Sequence, residues 1–154
     1  RWLAVLVDDL GAPVKYTPSK LLAELLSQHE GIRRIMDRCE ELADAFDAGK
    51  GDAIELTREV AKLRIAFDTH NPFEEKLLRP VLREMDAFGD VRIDRMFEDH
   101  VGEHRAMRMS LGDPTTNALR AVIDNLRVHL QAEERYFLSS KVLRDDVVTL
   151  ESSG

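Results

Sequence analysis

Apolar residues recur at three- and four-residue intervals in four separate stretches of this chain, each bounded by Gly, Pro or Asp. That period turns one stripe of a helix toward its neighbours, so the chain is constrained to a set of amphipathic helices sharing a core. Thr17 before Pro18 is an N-cap and first-turn pair, and Gly49 and Gly51 supply the stop; the first helix is expected from about 18 to 48. Its seam reads Leu22, Leu25, His29, Ile32, Met36, Cys39, Ala43, Phe46. Asp52 with Glu55 resembles a capping box for a second helix, whose seam is Leu56, Val60, Leu63, Phe67, His70, Glu74, Leu77, Val81. Pro72 within it predicts a kink, or an end re-capped by Asn71, and Pro80 should perturb the last turns.

Asp90 opens a third helix with the seam Ile93, Phe97, His100, His104, Met107, Leu111, closed by Gly112 and Asp113-Pro114. The fourth runs from about 114 to 139 with Leu119, Val122, Leu126, His129, Glu133, Tyr136 on its seam. Short connections make successive helices antiparallel neighbours, so the expected fold is all-α, an up-down-up-down four-helix bundle over residues 17–140. Residues 1–16 lack sustained periodicity and read as an N-terminal arm packing outside the main fold; residues 141–154 read as a C-terminal tail.

At 154 residues the chain has the size of one domain with one core. Its net charge of −7 comes without a Lys/Arg cluster, which argues against a nucleic-acid or anionic-membrane partner. The apolar run from Trp2 to Val7 is too short for a membrane span or a signal-peptide core. A single cysteine, Cys39, excludes an internal disulfide framework and a thiolate zinc knuckle, so a cytoplasmic setting is expected.

All five histidines fall on these seams, and so do two carboxylates, Glu74 and Glu133, each four residues after a histidine. His100 and His104 are also four apart, a rotation of about 400° that puts both rings on one helix face roughly 6 Å apart. Counting about 1.5 Å per residue from the first interhelical turn brings His29 and His70 to one level. A buried carboxylate or imidazolium without a partner costs several kcal/mol. A buried His–Glu hydrogen-bond network is the alternative to a metal centre, but seven convergent groups without a cation would leave many lone pairs unmet. Seven ligands exceed one ion's usual share, and carboxylates can bridge, so the count points to a dinuclear site. Imidazole and carboxylate suit iron, manganese or zinc; a structural zinc site closes at four ligands and would leave three residues over, which favours iron. The pattern His-x3-Glu-Glu also occurs twice, at His70, Glu74, Glu75 and at His129, Glu133, Glu134. Glu134 lies about 100° off the core line, so Glu133 is the expected ligand.

The order His29, His70 with Glu74, His100 with His104, and His129 with Glu133 resembles the hemerythrin-like, or HHE cation-binding, family over about 18 to 139. The resemblance implies two iron ions bridged by an oxo or hydroxo group and by Glu74 and Glu133. His100, His104 and His129 would bind one ion and His29 and His70 the other, which would keep an open coordination position. It further implies dioxygen or another small diatomic ligand such as nitric oxide, for carriage, storage or sensing, with a di-iron enzyme acting on peroxide, ferrous iron or nitric oxide as the alternative. Residues one turn from the ligands, Ile32, Phe67, Phe97, Met107, Leu126 and Tyr136, are the expected ligand-pocket walls, Leu126 by its match to a family position lining the oxygen pocket. Glu98, Asp99 and Glu103 are expected on the solvated face of the third helix.

Overall fold

The computed structural model describes residues 4–7, 11, 13–84, 90–112 and 115–145. Four helices follow a short hairpin: β1 (Ala4–Val7), β2 (Pro13–Tyr16), α1 (Pro18–Asp47), α2 (Ala53–Glu84), α3 (Asp90–Ser110) and α4 (Thr116–Tyr136). Interhelical pairs fix the directions. Arg33 meets Glu134, Arg127 meets Asp37 and Glu40, and Arg120 meets Asp44 and Asp47, so α1 and α4 run antiparallel. Arg38 with Glu55 and Gln28 with His70 do the same for α1 and α2, and Asp68 with Arg108 and Arg79 with Asp94 for α2 and α3. Each helix packs on its sequence neighbours and α4 returns to α1, closing the expected four-helix bundle.

The helix starts follow from capping chemistry. Thr17 Oγ1 accepts the Lys20 N–H at 3.3 Å with Pro18 in the first turn, and Thr115 Oγ1 accepts the Ala118 N–H at 3.2 Å. The fourth helix therefore begins at Thr116, slightly later than its apolar pattern suggests. Asp52 Oδ1 accepts the Ile54 N–H at 2.8 Å, while Glu55 turns to Arg38. Gly49 ends α1 with φ +71, the left-handed conformation glycine adopts without penalty. At Gly51 a Cβ would sit 2.6 Å from the Phe46 backbone nitrogen, so the turn into α2 needs glycine at that point.

Two expectations are corrected. The second helix neither ends nor re-caps at Asn71; it runs unbroken through Pro72 and Pro80. Both prolines lie on its exposed face, and the buried seam on the opposite face holds the helix together across each missing N–H. The N-terminal arm contains an antiparallel hairpin, Ala4 opposite Tyr16 and Val7 opposite Pro13. It lies against α1 and α2, with Tyr16 edge-on to Phe73 at 5.5 Å. The start of the tail packs on the bundle: Leu143 is buried, and Asp145 accepts the Ser19 backbone N–H at 2.9 Å and its hydroxyl at 2.5 Å. Finally, Phe46 is 43% exposed, because the last turn of α1 overhangs a core already filled by Leu42 and Ala43. Asp113, Pro114, residues 146–154 and the side chain of Ile93 lie outside the described residues.

The core has two apolar blocks. One joins Ile32, Met36, Cys39, Leu63, Phe67, Met107, Leu119, Ile123 and Leu126 among others; the second joins Leu21, Leu25, Leu77, Leu78, Val81, Phe97, Leu138 and Leu143. Between them, on every helix, lies a polar layer.

Candidate metal centre

The polar layer is built from seam residues, one on the first helix and a pair four residues apart on each of the others: His29 on α1, His70 and Glu74 on α2, His100 and His104 on α3, His129 and Glu133 on α4. All are buried except His100, which is partly so. The level deduced for His29 and His70 is met, their ring centroids lying 4.9 Å apart. His100 lies 4.0 Å from His104 and 4.7 Å from His129, centroid to centroid.

The ligand-capable atoms form two groups that share a carboxylate: His100, His104, His129 and Glu133 in one, and His29, His70, Glu74 and Glu133 in the other. Each carboxylate divides its oxygens between the groups. Glu133 Oε1 lies against His129 Nε2, 3.3 Å from His100 Nε2 and 3.7 Å from His104 Nε2, while its Oε2 is 3.1 Å from His29 Nε2. Glu74 Oε1 lies against His100 Nε2, and its Oε2 is 2.8 Å from His70 Nε2 and 3.8 Å from His29 Nε2.

The outer ring nitrogens decide how the imidazoles are oriented. His29 Nδ1–H donates to Glu134 at 3.0 Å, His70 Nδ1–H to Gln28 at 2.9 Å, His104 Nδ1–H to Glu75 at 2.9 Å and His129 Nδ1–H to Glu103 at 2.9 Å. A carboxylate can only accept there, so the proton sits on Nδ1 and the Nε2 lone pair faces inward. His104 Nε2 and His129 Nε2 then face each other at 2.9 Å. Ligand atoms bound to one ion at about 2.0–2.1 Å are separated by roughly 3 Å, which this spacing fits.

Burial leaves these inward atoms short of partners. His29 Nε2, His70 Nε2, Glu74 Oε2 and both Glu133 oxygens have no hydrogen bond. Among the side chains alone, burial would lower the His29 imidazolium's pKa, but the Glu133, Glu74 and Glu134 carboxylates outweigh it and raise it to about 10. Burial and the charge of Glu74 would push Glu133 up, yet His104, His129 and His29 hold it down at about 2. Glu74 is buried too, and His100, His29 and His70 hold it well below the usual carboxylate range. The carboxylates thus stay ionised and demand positive charge inside an apolar bundle. The residues present fit a cation centre.

A model of the hemerythrin HHE cation-binding domain matches residues 20–139. The chain belongs to that family. No curated protein and no solved structure matches it. The described helices of this HHE domain include none long and apolar enough to cross a membrane.

Of the expected pocket walls, Ile32, Phe67, Met107 and Leu126 lie in the first apolar block and Phe97 in the second, so they bracket the polar layer from both sides. Phe67 packs edge-on to His104 at 5.4 Å and Phe97 to His100 at 6.1 Å. Tyr136 is a correction: it is 57% exposed. The helix of this HHE domain stops at Tyr136, the chain turns with the Leu138 N–H on the Glu133 carbonyl at 2.9 Å, and Leu138 takes the buried position instead. A cleft of about 220 Å³ reaches the layer between α3 and α4, with Met96, His100, Glu103, His129 and Phe137 among its walls.

Sequence reasoning missed the outer acceptors. Gln28 adjoins His29, Glu103 adjoins His104, and Glu75 and Glu134 are the second glutamates of the repeated Glu-Glu pairs. A residue next to a core ligand is rotated by about 100°, onto the flank facing the next helix. The repeated pair was the legible signal: its first glutamate points into the core and its second reaches a histidine on a neighbouring helix.

Proposed function

We propose that this HHE domain holds two iron ions and binds dioxygen, or a related small ligand such as nitric oxide, for carriage, storage or sensing. The observation that carries this reading is that Glu74 and Glu133 each offer one oxygen to the three-histidine group and the other to the two-histidine group. One ion in either group would leave buried carboxylate oxygens unneutralised; two ions use all of them. Iron supplies accessible one-electron redox change at each ion and affinity for diatomic ligands.

The chain's own residues do the rest. His100, His104, His129 and Glu133 would hold one ion, His29 and His70 the other, with Glu74 and Glu133 offering an oxygen to each group. Five protein ligands on one side against four on the other leave the His29 and His70 half with the open position a small ligand needs. Phe67, Leu126 and Ile32 on one side of the layer and Phe97 on the other keep bulk water from the bound ligand. The cleft at His100 and Glu103 reaches the layer at the three-histidine half and at Glu133, which both halves share.

Metal analysis followed by anaerobic reduction and exposure to oxygen, with the optical spectrum recorded, tests this. Two irons per chain and an oxygenated spectrum that reverses on deoxygenation are expected. Zinc alone, or one ion per chain, overturns it.

A further inference from the structure

The four outer hydrogen bonds form a closed ring around the bundle. Gln28 of α1 accepts from His70 of α2, Glu75 of α2 from His104 of α3, Glu103 of α3 from His129 of α4, and Glu134 of α4 from His29 of α1. Each helix uses the residue beside its own ligand to orient a histidine on the next. Three links are carboxylates and one, Gln28, is a neutral amide.

The ring is electrically lopsided. Glu134 also accepts a hydrogen bond from Arg33 Nη2 at 2.9 Å and lies 2.7 Å from its Nη1 in the same ion pair, so its charge is largely neutralised before it reaches His29. Both outer partners of the two-histidine half are therefore weak acceptors. Glu75 and Glu103, which serve the three-histidine half, pair with no lysine or arginine among the described residues. An imidazole that donates to a free carboxylate gains imidazolate character and becomes a stronger metal ligand, whereas an amide does much less. The amide's orientation is not ambiguous, because its NH₂ donates to Glu24 at 3.1 Å, leaving Oε1 for His70.

Resting on the two-iron reading, we propose that Gln28 is a positioning residue that keeps His70 a weak donor. Together with the Arg33–Glu134 pair it makes the ion of the two-histidine half the later to bind, the first to leave and the one more readily kept ferrous. Ligand count alone would make the halves unequal; Gln28 deepens the inequality at the half that carries the open position.

The test is an anaerobic titration of the metal-stripped protein with cobalt(II), followed by optical absorption and calorimetry, and the reduction potentials of the iron-loaded form. Gln28→Glu is made together with Glu24→Gln so that two carboxylates do not face each other four residues apart. The double variant should tighten the weaker of two binding steps about 10-fold and lower the potential of the weaker ion, leaving the tighter step in place. Glu24→Gln alone is the control and should move neither. Gln28→Leu should loosen the weaker step by about 10–100-fold, with the helical circular dichroism unchanged. Glu103→Gln should act on the other half, loosening the tighter step. Two steps that ignore the Gln28 substitutions overturn the role of Gln28 and leave the two-ion reading standing. One cobalt ion per wild-type chain overturns the two-ion reading itself.

Discussion

The polar layer and the apolar block beside it sit on the same four helices at the same seam spacing, yet they are held by opposite means. Around Leu63, Ile123 and Leu126 every buried side chain is satisfied by contact alone, and burial of each contributes about 1.5–3 kcal/mol. In the adjoining layer the buried side chains carry two carboxylates and four imidazoles, with His100 partly buried beside them and orphaned oxygens and nitrogens at the centre. One region stabilises the fold whatever is bound; the other imposes a cost that a cation relieves. The bundle tolerates the second because the first encloses it.

The sharpest way to break this contrast is Glu133→Ala. Glu133 faces both histidine groups, so its loss should abolish stoichiometric retention of both ions, a larger effect than the roughly 10–100-fold that outer partners cost. Metal content after gel filtration reads it, and retention of two ions would show that Glu133 is no shared ligand. His70→Ala, confined to one group, should lower the content toward one ion per chain while the other group keeps its own; unchanged content would remove His70 from the ligand set.

Leu63→Ala probes the other region. A buried leucine truncated in a packed block should cost about 2–5 kcal/mol in denaturant unfolding, with two ions still bound. Loss of metal in that variant would mean that the two regions are not separable. Chelation supplies the converse. At free metal about 100-fold above Kd, its removal should lower wild-type and Leu63→Ala stability equally, by about 2.7 kcal/mol for each ion held, and leave Glu133→Ala unmoved.

The smallest effect concerns Cys39, in the apolar block. Burial, with smaller help from Glu59 and Glu40, pushes its thiol up to about 12. A raised thiol pKa favours the fold fully below the ordinary thiol value of 9.0, and that advantage is lost as pH rises through about 12. The folded protein should therefore resist alkylation at pH 8 to 9 and react only as it unfolds; fast native-state labelling would place Cys39 outside the block.

Much of this was legible in the residues. Three-four spacing, Thr17-Pro18, Asp52 and the glycines at 49 and 51 specify helices and their turns by local chemistry, and the placement of every histidine on a seam marks the polar layer. The seam argument failed where an element ended. Tyr136 and Phe46 have core spacing but sit in last turns, where the chain leaves or overhangs the core, and spacing cannot report that. Pro72 misled for the opposite reason: local propensity argued for a break, and packing of the buried face overrode it.

By itself, then, the sequence determined which residues share a face, because helical period depends only on the backbone of one segment. Only the tertiary structure decided which flank meets which neighbour, because that depends on the direction and rotation of four helices at once. The ring of Gln28, Glu75, Glu103 and Glu134 exists at that second level. Each member is one residue off the seam and reads as solvated polar surface until the adjoining helix brings a histidine to it.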